Sequence, residues 1–144
     1  MATNPLYSFP ARMESLPAML RHVRQQAGSV SEAVVLRLET ALEELLTNTV
    51  VHGHSDQVPA SEVWIGITAH GGGLSLCYED ALGAFNPEVK IGEALRRTDN
   101  PLAQRPLGGL GLLMVYRLAD EFGYRREEGR NRMDLSFQVR PVMT

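Results

Sequence analysis

One cysteine, no long apolar run and no large excess of either charge mark this sequence by what it lacks. Cys77 is the only cysteine among 144 residues, which excludes an intramolecular disulfide and fits a reducing compartment. Its place in an alternating apolar run reads as a small buried hydrophobe. Fourteen Lys plus Arg against seventeen Asp plus Glu leave a formal charge of -3. The basic footprint of a nucleic-acid or acidic-membrane binder is absent, so direct nucleic-acid binding is not expected. No stretch approaches the roughly 20 apolar residues of a membrane span. Met1 to Pro10 has neither the basic start nor the apolar run of a signal peptide, and a cytoplasmic protein is the expectation. His52 and His54 have no cysteine or carboxylate cluster at ligand spacing, which argues against transition-metal catalysis. Repeats and low-complexity tracts are also missing.

What is present is a 44% hydrophobic chain of the size that makes one compact domain, taken here as residues 1–144. Leu6 and Phe9 alternate with polar neighbours before Pro10, suggesting a short first strand. Glu14 to Gln26 carries Leu16, Met19, Leu20 and Val23 at helical spacing, and Gly28 closes it. Ser31 offers an N-cap for a second helix from Glu32 towards His52, with Gly53 as its stop and His54 to Ser61 as a loop. Val63, Ile65 and Ile67, then Gly71-Gly72-Gly73, then Leu74, Leu76 and Tyr78 read as a hairpin ending at Glu79-Asp80. Pro87 to Gly108 reads as a lid-like connection with a short helix around Ile91 to Arg97. An apolar helix from Leu112 to Ala119 precedes two strands, near Glu121 to Arg126 and Asn131 to Val139, with a turn at Glu127 to Arg130. Hairpins imply antiparallel pairing and one-sided helices must cover a sheet face. The expectation is an α/β two-layer sandwich, a mostly antiparallel mixed sheet covered on one face by three main helices.

Three features could carry chemistry. Glu44 and Asn48 stand four residues apart on the second helix and so point from one face, beside a buried stripe of Leu42, Leu45, Leu46, Thr49 and Val50. A carboxylate at such a boundary can act as a base, and a carboxamide oxygen can hold a hard cation such as magnesium; the plain alternative is a solvated Glu and a helix-terminal Asn. Gly108-Gly109-Leu110-Gly111 precedes a helix, where backbone amides can meet a phosphate, or where small residues serve tight packing. No Gly-Lys-Ser/Thr follows, which excludes a Walker loop. Asp80 closes a strand and can accept from the exocyclic amine of adenine, or form an Asx turn. The histidines are read as solvated or structural, with His22 on the surface of the first helix.

In order, Glu44-x-x-x-Asn48, Asp80 with Gly83 and Phe85-Asn86-Pro87, and Gly109-Leu110-Gly111-Leu112 resemble the N, G1 and G2 boxes of the gyrase, heat-shock chaperone, histidine kinase and MutL ATPase superfamily. Ala41-Leu42-Glu43-Glu44, His52-Gly53, Arg105-Pro106 and Gly129-Arg130-Asn131-Arg132 are similar to its small bacterial branch, the anti-sigma-factor serine-protein kinases. The resemblance implies the Bergerat ATP-binding fold, with ATP and Mg2+ as cofactors. By it Asn48 coordinates magnesium, Glu44 is the general base, Asp80 reads adenine with Gly83 in its turn, and Gly108, Gly109, Leu110, Gly111 and Leu112 surround the phosphates. Arg105 reaches the γ-phosphate from the lid. The implied activity is transfer of phosphate to a serine of an anti-anti-sigma-type partner, with partner switching that regulates a sigma factor; dimers are common in the family, so a homodimer is a further expectation. Two departures stand out. Leu82 holds the position where the family's G1 turn usually has glycine, and Asp134 stands where the last strand often has a hydroxyl residue. They leave open a second reading, a non-catalytic partner-switching module of the same fold. A third, the detached ATPase half of a histidine kinase, has no phosphoacceptor helical hairpin to support it.

Overall fold

A computed structural model describes residues 5–55, 62–84, 87–98 and 110–141. The chain opens with strand β1 (Tyr7–Pro10), whose terminal proline suits an edge because it has no N–H to donate. A 3-10 turn at Met13–Ser15 leads into α1 (Leu16–Ala27), with Pro17 in the first turn and Gly28, at φ 59°, just beyond its end. Helix α2 (Glu32–Ser55) begins after Ser31, whose carbonyl accepts from the Val34 and Val35 amides at 3.1 Å. Gly53 does not stop it: the helix continues through His54 and Ser55, which the sequence reading assigns to a loop. A glycine permits a left-handed cap but does not impose one.

Strands β2 (Glu62–His70) and β3 (Gly73–Asp80) form the expected hairpin. Its two-residue turn, Gly71 at φ 52° and Gly72 at φ 81°, needs positive φ at both positions and matches the right-handed twist of the strands. Helix α3 (Pro87–Thr98) starts earlier than expected and occupies half of what reads as a lid. Pro87 is favoured at a first helical position, and Ile91 and Ala94 are buried where α3 packs on α4 (Leu110–Leu118). Strands β4 (Glu121–Glu127) and β5 (Arg130–Phe137) complete the chain around a tight turn at Glu128 and Gly129.

The sheet runs β1-β2-β3-β5-β4. Every described pairing is antiparallel, so the sheet is antiparallel rather than mixed. Its inner face presents Val63, Ile65, Ile67, Leu74, Leu76, Tyr78, Met133, Leu135 and Phe137. α1 packs on β2 and α2 on β3 and β5, while α4 rests against α2. This is the two-layer sandwich of the sequence reading: among the described residues its three main helices are joined by α3, which covers the short helix expected around Ile91 to Arg97.

Two side chains sit differently from expectation. His22 is buried beneath the β1 aromatics rather than on a surface, 4.3 Å from the Tyr7 ring and 6.2 Å from that of Phe9. Among the described residues its Nε2 has no hydrogen-bond partner, and burial pulls its pKa below the usual histidine value. Cys77 is half-buried on the open face of the sheet rather than in the core, with its thiol pushed up to about 12 by burial. Asp134 is exposed on that same open face, pairing across the sheet with Cys77 and gripped by Arg132.

A polar clasp closes the end of the molecule remote from the Glu44 turn. Asp120, just after α4, accepts from Arg37 of α2 at 2.8 Å, from Arg140 at 3.2 Å and from the Gln138 amide at 2.6 Å. Arg140 also donates to the Arg117 and Leu118 carbonyls, satisfying the C-terminal end of α4. Among the described residues no helix is long and apolar enough to cross a membrane.

Candidate functional site

The centre of α2 shapes one end of the site. Leu42, Leu45 and Leu46 are buried against the sheet, which leaves Glu44 and Asn48 half-buried on the adjoining face, one turn apart. α4 crosses α2 so closely there that a Cβ at Gly111 would sit 2.6 Å from Glu44 Oε2. A larger residue here would move the end of the Glu44 side chain aside and displace the carboxylate. Gly111 lies in the first turn of α4, where unpaired amides and the helix dipole favour negative charge. Glu44, Asn48 and the opening of α4 thus share one locus. Leu112, predicted among the phosphate-surrounding residues, instead buries its side chain in the core, so only its backbone could serve there. Leu110 opens α4. Arg105, Gly108 and Gly109 lie outside the described residues.

The other end is built on Asp80, fully buried at the close of β3. Its Oδ1 accepts from the Leu82 amide at 3.2 Å, an Asx turn, and from Asn131 Nδ2 at 2.9 Å. Its Oδ2 accepts from Thr49 Oγ1 of α2 at 3.0 Å. A base meets this carboxylate only by displacing atoms now packed on it. Leu82 turns its side chain inward, 3% exposed, and its carbonyl accepts from Arg126 at 2.7 Å and from Asn131 at 3.4 Å. Asn131 also donates to the carbonyl of Gly83, which is itself exposed in the turn. Among the described residues Glu128 is the one non-glycine with positive φ, so the turn forms at Leu82 without the left-handed backbone that glycine allows.

Asn131 is the residue that sequence reasoning missed. The register of β3 on β5 places it directly opposite Asp80, and it is Asn131, not Asp134, that faces the turn. Its Oδ1 accepts from Tyr124 at 2.7 Å and Arg126 at 3.2 Å, so every polar atom of this buried carboxamide is used. The signal was present: Asn131 shares the inward face with Met133, Leu135 and Phe137, and a polar residue in that alternation needs partners. Thr49 carries the same signal within the apolar stripe of α2.

The residues fit a magnesium nucleotide. Among the described residues no group of three His, Cys, Asp or Glu forms a protein cage for a metal. A lone carboxamide oxygen beside a helix N-terminus suits magnesium, which keeps several waters and takes its remaining oxygens from phosphates.

The family profile described as histidine kinase-like ATPase domain matches residues 9–137. Among solved structures, the crystal structure of the RsbU and RsbW domains of Rv1364c from Mycobacterium tuberculosis superimposes with a TM-score of 0.56 at 16% identity. The match covers 96% of this chain and 34% of that one, so the chain spans about a third of that protein's length. At this identity the likeness speaks for the fold. No curated protein matches the sequence.

Proposed function

The chain belongs to the histidine kinase-like ATPase family, and from that premise we propose that it is an ATP-dependent serine-protein kinase acting on an anti-anti-sigma-type partner and so regulating a sigma factor by partner switching. The observation that carries this reading is the approach of Gly111 to Glu44, with Asn48 one turn along α2. It supports a carboxylate, a carboxamide and a helix N-terminus converging on one point, which is what phosphoryl transfer needs.

In this reading Asn48 offers its carboxamide oxygen to magnesium and the first amides of α4 receive phosphate oxygens. Magnesium supplies charge neutralisation between the phosphates when bound. Glu44 takes the proton of the attacking serine hydroxyl, held in place by α4 on one side and by the buried leucines of α2 on the other. Asp80, fixed by its three donors, accepts from the adenine amine at the opposite end of the site.

The buried state of Asp80 and the inward Leu82 favour a second reading, a binding module that keeps the fold without efficient transfer. Calorimetric titration with magnesium ATP separates the two, with Asn48→Ala as control. Saturable binding lost in the variant supports the nucleotide site, and serine phosphorylation of a partner lost in Glu44→Gln supports the kinase. Absence of binding at millimolar ATP leaves the module.

A further inference from the structure

Thr49 follows Asn48 by one position, which rotates it roughly 100° around α2, away from the Glu44 face and towards the sheet. It is fully buried there. A hydroxyl in such a place costs free energy unless it is bonded, and this one has three polar neighbours. Oγ1 lies 3.0 Å from Asp80 Oδ2, 2.7 Å from the Tyr78 hydroxyl and 3.2 Å from the Leu45 carbonyl. The Tyr78 hydroxyl is also 3.2 Å from the Leu45 carbonyl. Two hydroxyl protons serve this group. Were Thr49 to donate to Leu45, Asp80 Oδ2 would face a lone pair at 3.0 Å. Thr49 therefore donates to Asp80, the charge-assisted choice, and Tyr78 donates to Thr49 Oγ1 or to Leu45. Burial holds the proton on Tyr78 by pushing its phenol well above the usual range.

Asp80 then receives donors from three elements: Thr49 on α2, the Leu82 amide in the turn, and Asn131 on β5. A carboxylate has about four acceptor positions. With Oδ1 doubly engaged, the one left is on Oδ2, beside Thr49, and it reaches a ligand once the atoms packed on this buried carboxylate move aside.

We propose that Thr49 is a positioning residue for base selection: its hydroxyl fixes the Asp80 carboxylate so that the remaining acceptor position of Oδ2 meets an exocyclic amine, making 6-amino purines the preferred ligands. This rests on the nucleotide reading of the site. Without the Thr49 bond, Oδ2 loses the donor that sets its direction and the carboxylate is held through Oδ1 alone. A 6-oxo purine sets its own lone pair against Oδ2 and is rejected only as firmly as that oxygen is held. Because Thr49 is the next residue after Asn48, the base end and the phosphate end of the site are registered on one rigid helix.

The test is calorimetric titration of the full chain with magnesium ADP and with magnesium IDP, in which the 6-amino group becomes an oxo group and N1 gains a proton, comparing the native protein with Thr49→Val and Thr49→Ser. Valine keeps the shape and removes the hydroxyl; serine keeps the hydroxyl. Expected is a native preference for ADP that shrinks at least about fivefold in Thr49→Val, with IDP affinity nearly unchanged, and that returns in Thr49→Ser. A merely structural role lowers both affinities together, and an ADP to IDP ratio that stays at its native value in Thr49→Val overturns the proposal. If the valine variant fails to fold, Thr49→Ala is read by the same ratio. Native protein that binds neither nucleotide overturns the nucleotide reading and this one with it, whereas native binding with an unmoved ratio overturns the role of Thr49 alone.

Discussion

Glu44→Gln and Gly111→Ala probe the same close approach from its two sides. The first removes the proposed base without changing shape, so phosphoryl transfer falls by about 10²- to 10⁴-fold while ATP affinity stays within a few-fold. The second pushes a methyl to within 2.6 Å of Glu44 Oε2. Since the obstacle is the far end of a flexible side chain, the carboxylate swings aside at little cost in stability. Alanine also raises helix propensity by up to about 1 kcal/mol. The expected Gly111→Ala protein melts no lower than the native one, yet transfers phosphate at least about tenfold more slowly. A melting curve beside a phosphate-transfer time course checks both, and native transfer by Gly111→Ala would remove Glu44 from the base role. Asn131→Ala acts differently. It takes a donor from the buried Asp80 carboxylate and from the Gly83 carbonyl, which costs about 1–3 kcal/mol, a fall of about 3–10 °C in melting temperature by calorimetry.

Elements differ in how plainly the sequence announces them. α2 was legible because Leu38, Leu42, Leu45 and Thr49 repeat at helical spacing behind Ser31, and the β2–β3 hairpin because three glycines interrupt two alternating runs. Glu44 and Asn48 could be paired from spacing alone, since four residues along a helix return to one face. α3 was only half legible: the prolines of the Pro87 to Gly108 stretch read as loop punctuation, although Pro87 is an acceptable helix start. Asn131 was not legible as a site residue, because its role depends on which residue of β5 pairs with Asp80. Strand register follows from long-range packing, and one residue's shift moves a side chain to the other face. The Asp120 clasp was likewise hidden, since it joins α2, α4 and the chain after β5 across more than 80 residues of sequence. It ties down the end of α4 opposite Gly111. Arg140→Ala therefore loosens that end, lowering the melting temperature by about 2–4 °C and speeding hydrogen exchange in the last turn of α4. Exchange confined to β4 instead would show that the clasp holds the sheet and not the helix.

For the whole molecule, His22 ties stability to pH in the mildly acidic range. Its native pKa lies below 6.5 because burial disfavours the charged form, whereas the unfolded chain takes up a proton near 6.5. Above that pH both states are neutral and the group contributes no pH dependence. As pH falls below about 6.5 the unfolded state binds the proton first, so stability declines until the native histidine also titrates. Urea unfolding at pH 7.5 and pH 5.5 should show this loss, and His22→Phe should flatten it; an equal loss in the variant would place the acid sensitivity elsewhere. The same event loosens β1, because Tyr7 and Phe9 are the rings that cover the histidine.

The open face of the sheet carries Trp64, opposite Glu79 in the β2–β3 ladder and capped by the Arg130 guanidinium 3.5 Å from its ring centroid. It is the sequence's only tryptophan, and its side of the sheet is the one that Asp80, Thr49 and Asn131 do not face. The molecule thereby contains a built-in optical reporter with a single address. Indole emission responds to anything that lands on the open face and pries Arg130 away, and stays comparatively silent to a ligand entering beneath the helices, so one fluorescence titration distinguishes docking on one side of the sheet from occupancy of the other.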